Sequence, residues 1–362
     1  MSFLNTKIIN FEPEIFGIDL SDFSVKIMQI EKNGKIDRVS SFSVVSIPVG
    51  NIEDGKVINK EKVAEIIKSA IKKAGPKKIK TNKVICSLPE SKVFLRVINL
   101  PKIEESEAAE AIKWEMEANI PIPIDQAYYD WQFLETENGK RKQDVLTVAI
   151  AREVVDELLA VLELAGLDVY GMEVESIATA RSLVLHKQES LSKDESALII
   201  DLGAQRTSFI MINSGVPNFT SSIPFSSDGI SDAIAKGFNV SLAEAEKIKI
   251  AHGIESINEN PVFGVIRALL ENLVQETERT LDFYNEFTKN SSNIEKIVLC
   301  GGGANLKGLA IFLAKRLNKE VSLGDPWINL NLGNKLPIID RENSVRYPTV
   351  IGLAMRGAKY GN

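Results

Sequence analysis

Histidine and cysteine are nearly missing from this 362-residue chain, which carries two of each. With only His186 and His252, and no Cys-x-x-Cys pair, a His/Cys metal centre has too little material to form. Cys86 and Cys300 each sit among apolar, strand-like neighbours, which predicts two buried thiols in a reducing compartment rather than a disulfide framework. No apolar stretch approaches the roughly eighteen residues of a spanning helix. The opening MSFLNTKIINFEPEIF is broken by Lys7, Glu12, Pro13 and Glu14, so neither signal peptide nor membrane span is expected, and a cytoplasmic location follows. Net charge is −6, with 43 basic against 49 acidic side chains and no dense basic run. That sets general nucleic-acid binding aside and leaves only a local basic patch open. What remains is the composition of an ordinary globular protein, long enough for two or three domains.

Residues 15–47 predict three β-strands, with Asn33-Gly34 as the tight turn between the second and third. A helix from about Lys60 to Ala74 stops at Gly75-Pro76, and 83–88 is a short buried strand. After Ser192-Lys193-Asp194 the pattern restarts with strands at Ala197–Asp201, Thr207–Asn213 and Val216–Ile223, and a hairpin at Asn213-Ser214-Gly215. Asp19 precedes Gly34 by fifteen residues and Asp201 precedes Gly215 by fourteen, so each Asp ends the first strand of an equivalent hairpin. A duplicated unit explains both.

Between the two units, 89–168 reads as a small α+β subdomain. Val93–Leu100 is strand-like, and Ala108, Ile112, Met116 and Ile120 recur at helical spacing until Pro121 and Pro123. Tyr129, Trp131 and Phe133 alternate with polar residues as a half-buried strand, Gly139 turns the chain into Val145–Ile150, and a helix runs from Arg152 to Ala165. Downstream, helices are expected over Leu242–His252, 263–288, Leu306–Leu317 and Tyr347–Tyr360, with a buried strand at Ile297–Cys300.

Four places could carry chemistry. In FGIDLSDFSVK (16–26) an Asp ends a strand before a tight turn whose amides point outward, an arrangement that can hold hydrated Mg²⁺ beside phosphate oxygens. IDLGAQRTSF (200–209) repeats it, with Gly203 allowing close backbone approach. Two such loops facing one another would clamp a polyphosphate. VLCGGGANLKGL (298–309) is a strand, a triple glycine and a helix start, able to take a flat nucleoside or simply to turn the chain. Glu246 and Lys249 lie one turn apart, a spacing that most often gives a solvated ion pair.

The order of these features, with Glu175 in EVESIATA between the two Asp loops, resembles the actin-like ATPase superfamily over nearly the whole chain. Within it, the insert is similar to that of FtsA and more closely to that of the type IV pilus assembly protein PilM family. SLPESKVFLRVINLP (87–101), SEAAEAIKWEMEANIPIP (106–123), YYDWQFLE (128–135), LVQETERTLDFY (273–284) and YPTVIGLAMR (347–356) carry that likeness. The resemblance implies an α/β, actin-like two-lobed fold of duplicated ribonuclease-H-like modules. The first lobe's core would span 12–88, the inserted α+β subdomain 89–168, and the first lobe's continuation 169–195. The second lobe would span 196–339, and 340–362 would return to the first lobe.

The resemblance also implies ATP and Mg²⁺. Asp19 and Asp201 would organise the metal through water, and Ser21, Ser24, Gly203, Arg206 and Thr207 would line the phosphates. Glu246 and Lys249 would meet ribose and adenine, and Gly301, Gly302 and Gly303 would floor the adenosine pocket. Glu175 would position an attacking water or, equally, cap the helix that follows. The loops depart from the superfamily pattern at Ser21 and Asp22, at Gln205 and Arg206, and at Ser208, so binding is better supported than turnover. The implied function is a cytoplasmic ATP-binding adaptor of type IV pilus assembly. It would sit against the inner membrane by docking the N-terminal segment of a PilN-like protein, with further pilus components or self-association open. A filament-forming relative of FtsA and a small-molecule kinase are the alternatives.

Overall fold

The computed structural model describes residues 14–101, 105–134, 142–185, 196–255, 260–288, 294–333 and 339–360. The chain start through Pro13, the Gly139 turn, His186 and the Ser192–Asp194 restart lie outside the described residues.

Strands β1 (Phe16–Leu20), β2 (Ser24–Asn33) and β3 (Ile36–Ser46) pair antiparallel in succession. A two-stranded ribbon, β4 (Ile52–Glu53) and β5 (Lys56–Val57), leads to α1 (Lys60–Lys73). The Asn59 side chain accepts from the Lys62 amide and starts that helix. Its Val63, Ala64, Ile67 and Ala70 face covers the sheet. β6 (Gly75–Pro76) borders β3, and β7 (Lys83–Leu88) lies parallel to β1 on the other side.

The insert consists of β8 (Val93–Pro101), α2 (Glu105–Asn119), β9 (Ala127–Phe133) and β10 (Lys142–Ala151), with β10 between its two neighbours. Ala108, Ile112 and Met116 bury against Leu100, Val145 and Ala149, which is the packing their spacing demands. Helix α3 (Arg152–Leu164), adjoining the insert in sequence, instead sets Val155, Leu158, Val161 and Leu162 into the first lobe's core beside α1. Then β11 (Asp168–Val174) extends β7 in parallel and α4 (Glu175–Leu183) begins.

The second lobe repeats the plan with β12 (Ser196–Leu202), β13 (Thr207–Asn213) and β14 (Val216–Ile223), then α5 (Ser227–Phe238), α6 (Leu242–His252) and α7 (Pro261–Thr288). β15 (Lys296–Cys300), α8 (Leu309–Leu317), β16 (Glu320–Leu323), α9 (Arg341–Ser344) and α10 (Pro348–Tyr360) follow. The order β3-β2-β1-β7-β11 recurs as β14-β13-β12-β15-β16, three strands antiparallel and two parallel each time. The duplicated α/β architecture is therefore present in strand order as well as in spacing.

The insert's sheet does not stand alone. β8 meets β14 at Arg96 and Phe219, joining both into one eight-stranded sheet that ends at β9. The helix expected from Leu306 begins at Leu309, after a 3-10 turn at Gly302–Asn305, because Gly308 takes φ +85° and interrupts any helix through it. At the end of the chain α10 packs on β1 and α4, where a Cβ on Gly352 would lie 1.8 Å from the Ala178 carbonyl oxygen.

Candidate functional site

The two Asp loops face one another across the lobes. Each is closed the same way: the Ser21 amide donates to the Ser24 carbonyl at 3.0 Å, and the Gly203 amide to the Arg206 carbonyl at 3.0 Å. Between them lies a cleft of about 430 Å³ lined by both loops, Pro89 to Ser91, Glu175 and the Gly301-Gly302 turn. Gly301 has φ +83°, and a Cβ there would fall 2.3 Å from Asp201 Oδ1, so only glycine brings this turn against the aspartate.

Carboxylates outnumber cations at the floor of the cleft. Lys26 Nζ donates to Asp19 Oδ2 at 2.7 Å, and Ser87 Oγ donates to Asp19 Oδ1 at 3.1 Å. Burial lowers the Lys26 pKa, but Asp19, with Asp201 and Glu175 behind it, outweighs burial and leaves it raised. Burial lifts Asp201 to about 6; Lys26 opposes that rise while Asp19 and Glu90 add to it. Glu175 is raised well above the carboxylate range by burial and then by Asp19 and Glu90, and Glu90 is raised by burial. Among the described residues, four acids thus share the floor with the single ammonium of Lys26, with Arg206 and Arg346 further out on the cleft wall.

Of the residues singled out in the sequence, Asp19, Ser21, Ser24, Glu175, Asp201, Gly203, Arg206, Gly301 and Gly302 line this cleft together. Arg206 runs along the wall, its Nε donating to Ser222 Oγ at 3.0 Å. Thr207 is fully buried and donates its hydroxyl to the Phe225 carbonyl at 3.0 Å, so it shapes the loop from behind. Gly303, also buried, backs onto Leu202 and Ser227. Glu246 and Lys249 stand beyond Ser227. Lys249 Nζ meets Glu246 Oε2 at 2.7 Å, Ser231 Oγ at 2.8 Å and Ser227 Oγ at 3.0 Å, and only 8% of the lysine is exposed. Lys249 is therefore built into the α5–α6 junction, while Glu246 keeps about half of its side chain, 48%, in solvent. Burial raises the Glu246 pKa, and Lys249 and Ser231 outweigh it and hold it low.

A family model for the type IV pilus assembly protein PilM matches residues 17–358, almost the whole chain. The chain belongs to the PilM family. A solved PilM-PilN type IV pilus biogenesis complex superposes with a TM-score of 0.79 at 26% identity, covering 96% of this chain and 99% of that one. An MreB of Spiroplasma citri bound to AMPPNP shares the fold alone, with a TM-score of 0.51 at 13% identity, covering 94% and 95%. The cell division protein FtsA of Staphylococcus epidermidis is 27% identical over 203 residues, 51% of this chain and 43% of that protein. The match thus spans less than half the length of that relative.

Within this PilM-family chain, the residues that sequence reasoning passed over are Lys26, Ser87 and Glu90. Lys26 alternates with Asp19's neighbours across the β1–β2 pair, Asp19 opposite Lys26 in register, and that pairing was the signal available. Asp22, an acid beside the cleft, accepts from the Asp54 and Gly55 amides at 3.0 and 2.9 Å, which turns its charge toward the β4–β5 ribbon. Among the described residues no three His, Cys, Asp or Glu side chains converge as a metal cage. The oxygen donors present suit Mg²⁺, which keeps most of its waters and is completed by phosphate oxygens. The free thiols of Cys86 and Cys300 are buried, and burial pushes both up. Among the described residues no helix is long and apolar enough to cross a membrane.

Proposed function

We propose that this chain is a cytoplasmic ATP-binding adaptor of type IV pilus assembly, held at the inner membrane by docking the N-terminal segment of a PilN-like protein. The observation that carries the reading is a groove of about 990 Å³ beside the insert, in a chain that superposes along its length on a PilM-PilN complex. Tyr129 and Trp131 of β9 line one side of the groove, and Met172, Val174 and Arg181 of β11 and α4 the other. Both β9 and β11 are terminal strands of their sheets. An extended peptide laid between them can take backbone hydrogen bonds from an open edge and seat alternate side chains in apolar pockets.

In the cleft, Asp19 and Asp201 would hold Mg²⁺ through water, and the Ser21–Ser24 and Gly203–Arg206 turns would face the phosphates. The Gly301-Gly302 turn would carry the nucleoside, with Glu246 and Lys249 behind it. The MreB neighbour of the same fold is bound to AMPPNP, which supports this use of the cleft. One Glu175 oxygen already accepts from the Glu90 amide, so slow hydrolysis at most is expected.

Isothermal titration with a synthetic peptide copied from the start of the neighbouring pilus membrane protein tests the adaptor role; no heat of binding with or without Mg-ATP would overturn it. Mg-ATP should raise the melting temperature and Asp201→Ala should remove the rise. Sustained phosphate release would favour an enzyme instead.

A further inference from the structure

Charge is spread unevenly over the first lobe. From Lys56 to Lys83 the chain places ten lysines against two glutamates, in a protein of net charge −6. Lys72, Lys73, Lys77, Lys78, Lys80 and Lys83 fall within twelve residues that contain no acid. Because α1 turns Val63, Ile67 and Ala70 inward, Lys68, Lys72 and Lys73 stand exposed on its outer side, and Lys77, Lys78 and Lys80 stand exposed in the loop that follows. Lys77 pairs with Glu31, and Lys83 lies over the Tyr170 ring at 5.7 Å. Lys68, Lys72, Lys73, Lys78 and Lys80 form no ion pair among the described residues. The helix dipole accounts for Lys72 and Lys73 in the last turn of α1 and for nothing beyond it.

The position of this face matters as much as its charge. Lys83 opens β7 at the end of the sheet remote from the cleft, which is reached at Pro89 and Glu90. It pairs in register with Asp168, first residue of β11, and β11 lines the peptide groove from Met172 to Val174. The lysines therefore stand at the end of the sheet away from the cleft, and none of them lines either the cleft or the groove.

We propose that this lysine face rests on an anionic bilayer surface. Flexible ammonium groups gain from lipid phosphates without fixed geometry, provided they come within a Debye length of about 8 Å at physiological salt. Residues 68–83 contain neither the arginine that forks onto nucleic-acid phosphates nor an aromatic ring to stack on bases, and the neighbouring Tyr170 ring is already engaged by Lys83. A bilayer needs neither. The attachment is independent of any peptide in the groove.

The test is co-sedimentation of the full chain with vesicles of phosphatidylcholine containing about a third phosphatidylglycerol, alongside pure phosphatidylcholine vesicles. Binding is expected to the anionic vesicles only, to weaken with salt, and to fall at least ~10-fold when Lys72, Lys73, Lys78 and Lys80 are all changed to Glu. A control with Lys236, Lys247, Lys296 and Lys315 changed to Glu carries the same net charge and should bind as the native chain does. Unchanged melting temperature of both variants establishes folding. Failure to sediment with anionic vesicles, equal loss in the control, or tighter binding to a single-stranded oligonucleotide than to the vesicles would overturn the proposal. None of these readouts uses nucleotide or peptide, so the result stands apart from the adaptor reading.

Discussion

Glu90 and Glu175, 85 residues apart in the chain, are locked in a reciprocal clasp: the Glu90 amide donates to Glu175 Oε2 at 3.2 Å, and Glu90 Oε2 accepts from the Ser176 amide at 3.0 Å. Glu90 thus caps α4, a role the sequence left open for Glu175. The clasp also separates two pockets. Leu88 and Val174 line the groove, while Glu90 and Glu175, two and one residues further on, line the cleft.

Removing the cap should be costly, and replacing it should not. Glu90→Ala leaves the Ser176 amide buried without a partner and should lower unfolding stability by about 1–3 kcal/mol in urea melts. Glu90→Gln keeps an acceptor in place and should lose less than half of that. Equal losses in the two variants would mean that the hydrogen bond is not what Glu90 contributes.

The raised acids make a signed prediction for pH. Between the ordinary Asp value of 3.8 and about 6, folded Asp201 binds more protons than unfolded Asp201. Stability from this group therefore falls as pH rises through that window, and the loss is complete above it. Glu175 and Glu90, raised by burial, act in the same direction. Without nucleotide, Asp201→Asn should stabilise the protein at pH 7.5, do so clearly less at pH 4.5, and have little effect below the ordinary Asp value of 3.8. The thermal shift given by Mg-ATP should grow between pH 5.5 and 7.5, as the proton leaves a site the metal is expected to use.

Gly301→Ala should abolish that thermal shift while the chain still folds. Its methyl would sit 2.3 Å from Asp201 Oδ1 on a backbone of φ +83°. Gly352→Ala should instead act on stability, by about 3 kcal/mol, since its methyl would strike the Ala178 carbonyl where α10 crosses α4. Circular dichroism melts and nucleotide titrations separate the two effects.

Tyr129, exposed by 39% on the groove wall, should anchor the docked peptide. Tyr129→Ala is expected to weaken peptide binding by about 30-fold, the loss typical of a central aromatic contact, without altering the Mg-ATP shift. Unchanged peptide affinity would move the docking site elsewhere.

Much of the fold was legible from local chemistry. The Asn33-Gly34 and Ser214-Gly215 turns, the Gly75-Pro76 stop after α1 and the i+4 apolar series in α2 each act over a few residues, so the chain's order of elements and its duplication could be read directly. The paired aspartates and the glycine turn that form the cleft were likewise apparent, because a strand end and a glycine junction are local features. Contacts between distant segments were not. No local pattern says that β8 will join β14, that α3 will leave the insert for the first lobe, or that Glu90 will meet Glu175 at the cleft floor. Those outcomes depend on which buried faces and unpaired edges find one another when the lobes close. Packing sets them, and packing is a property of the whole chain.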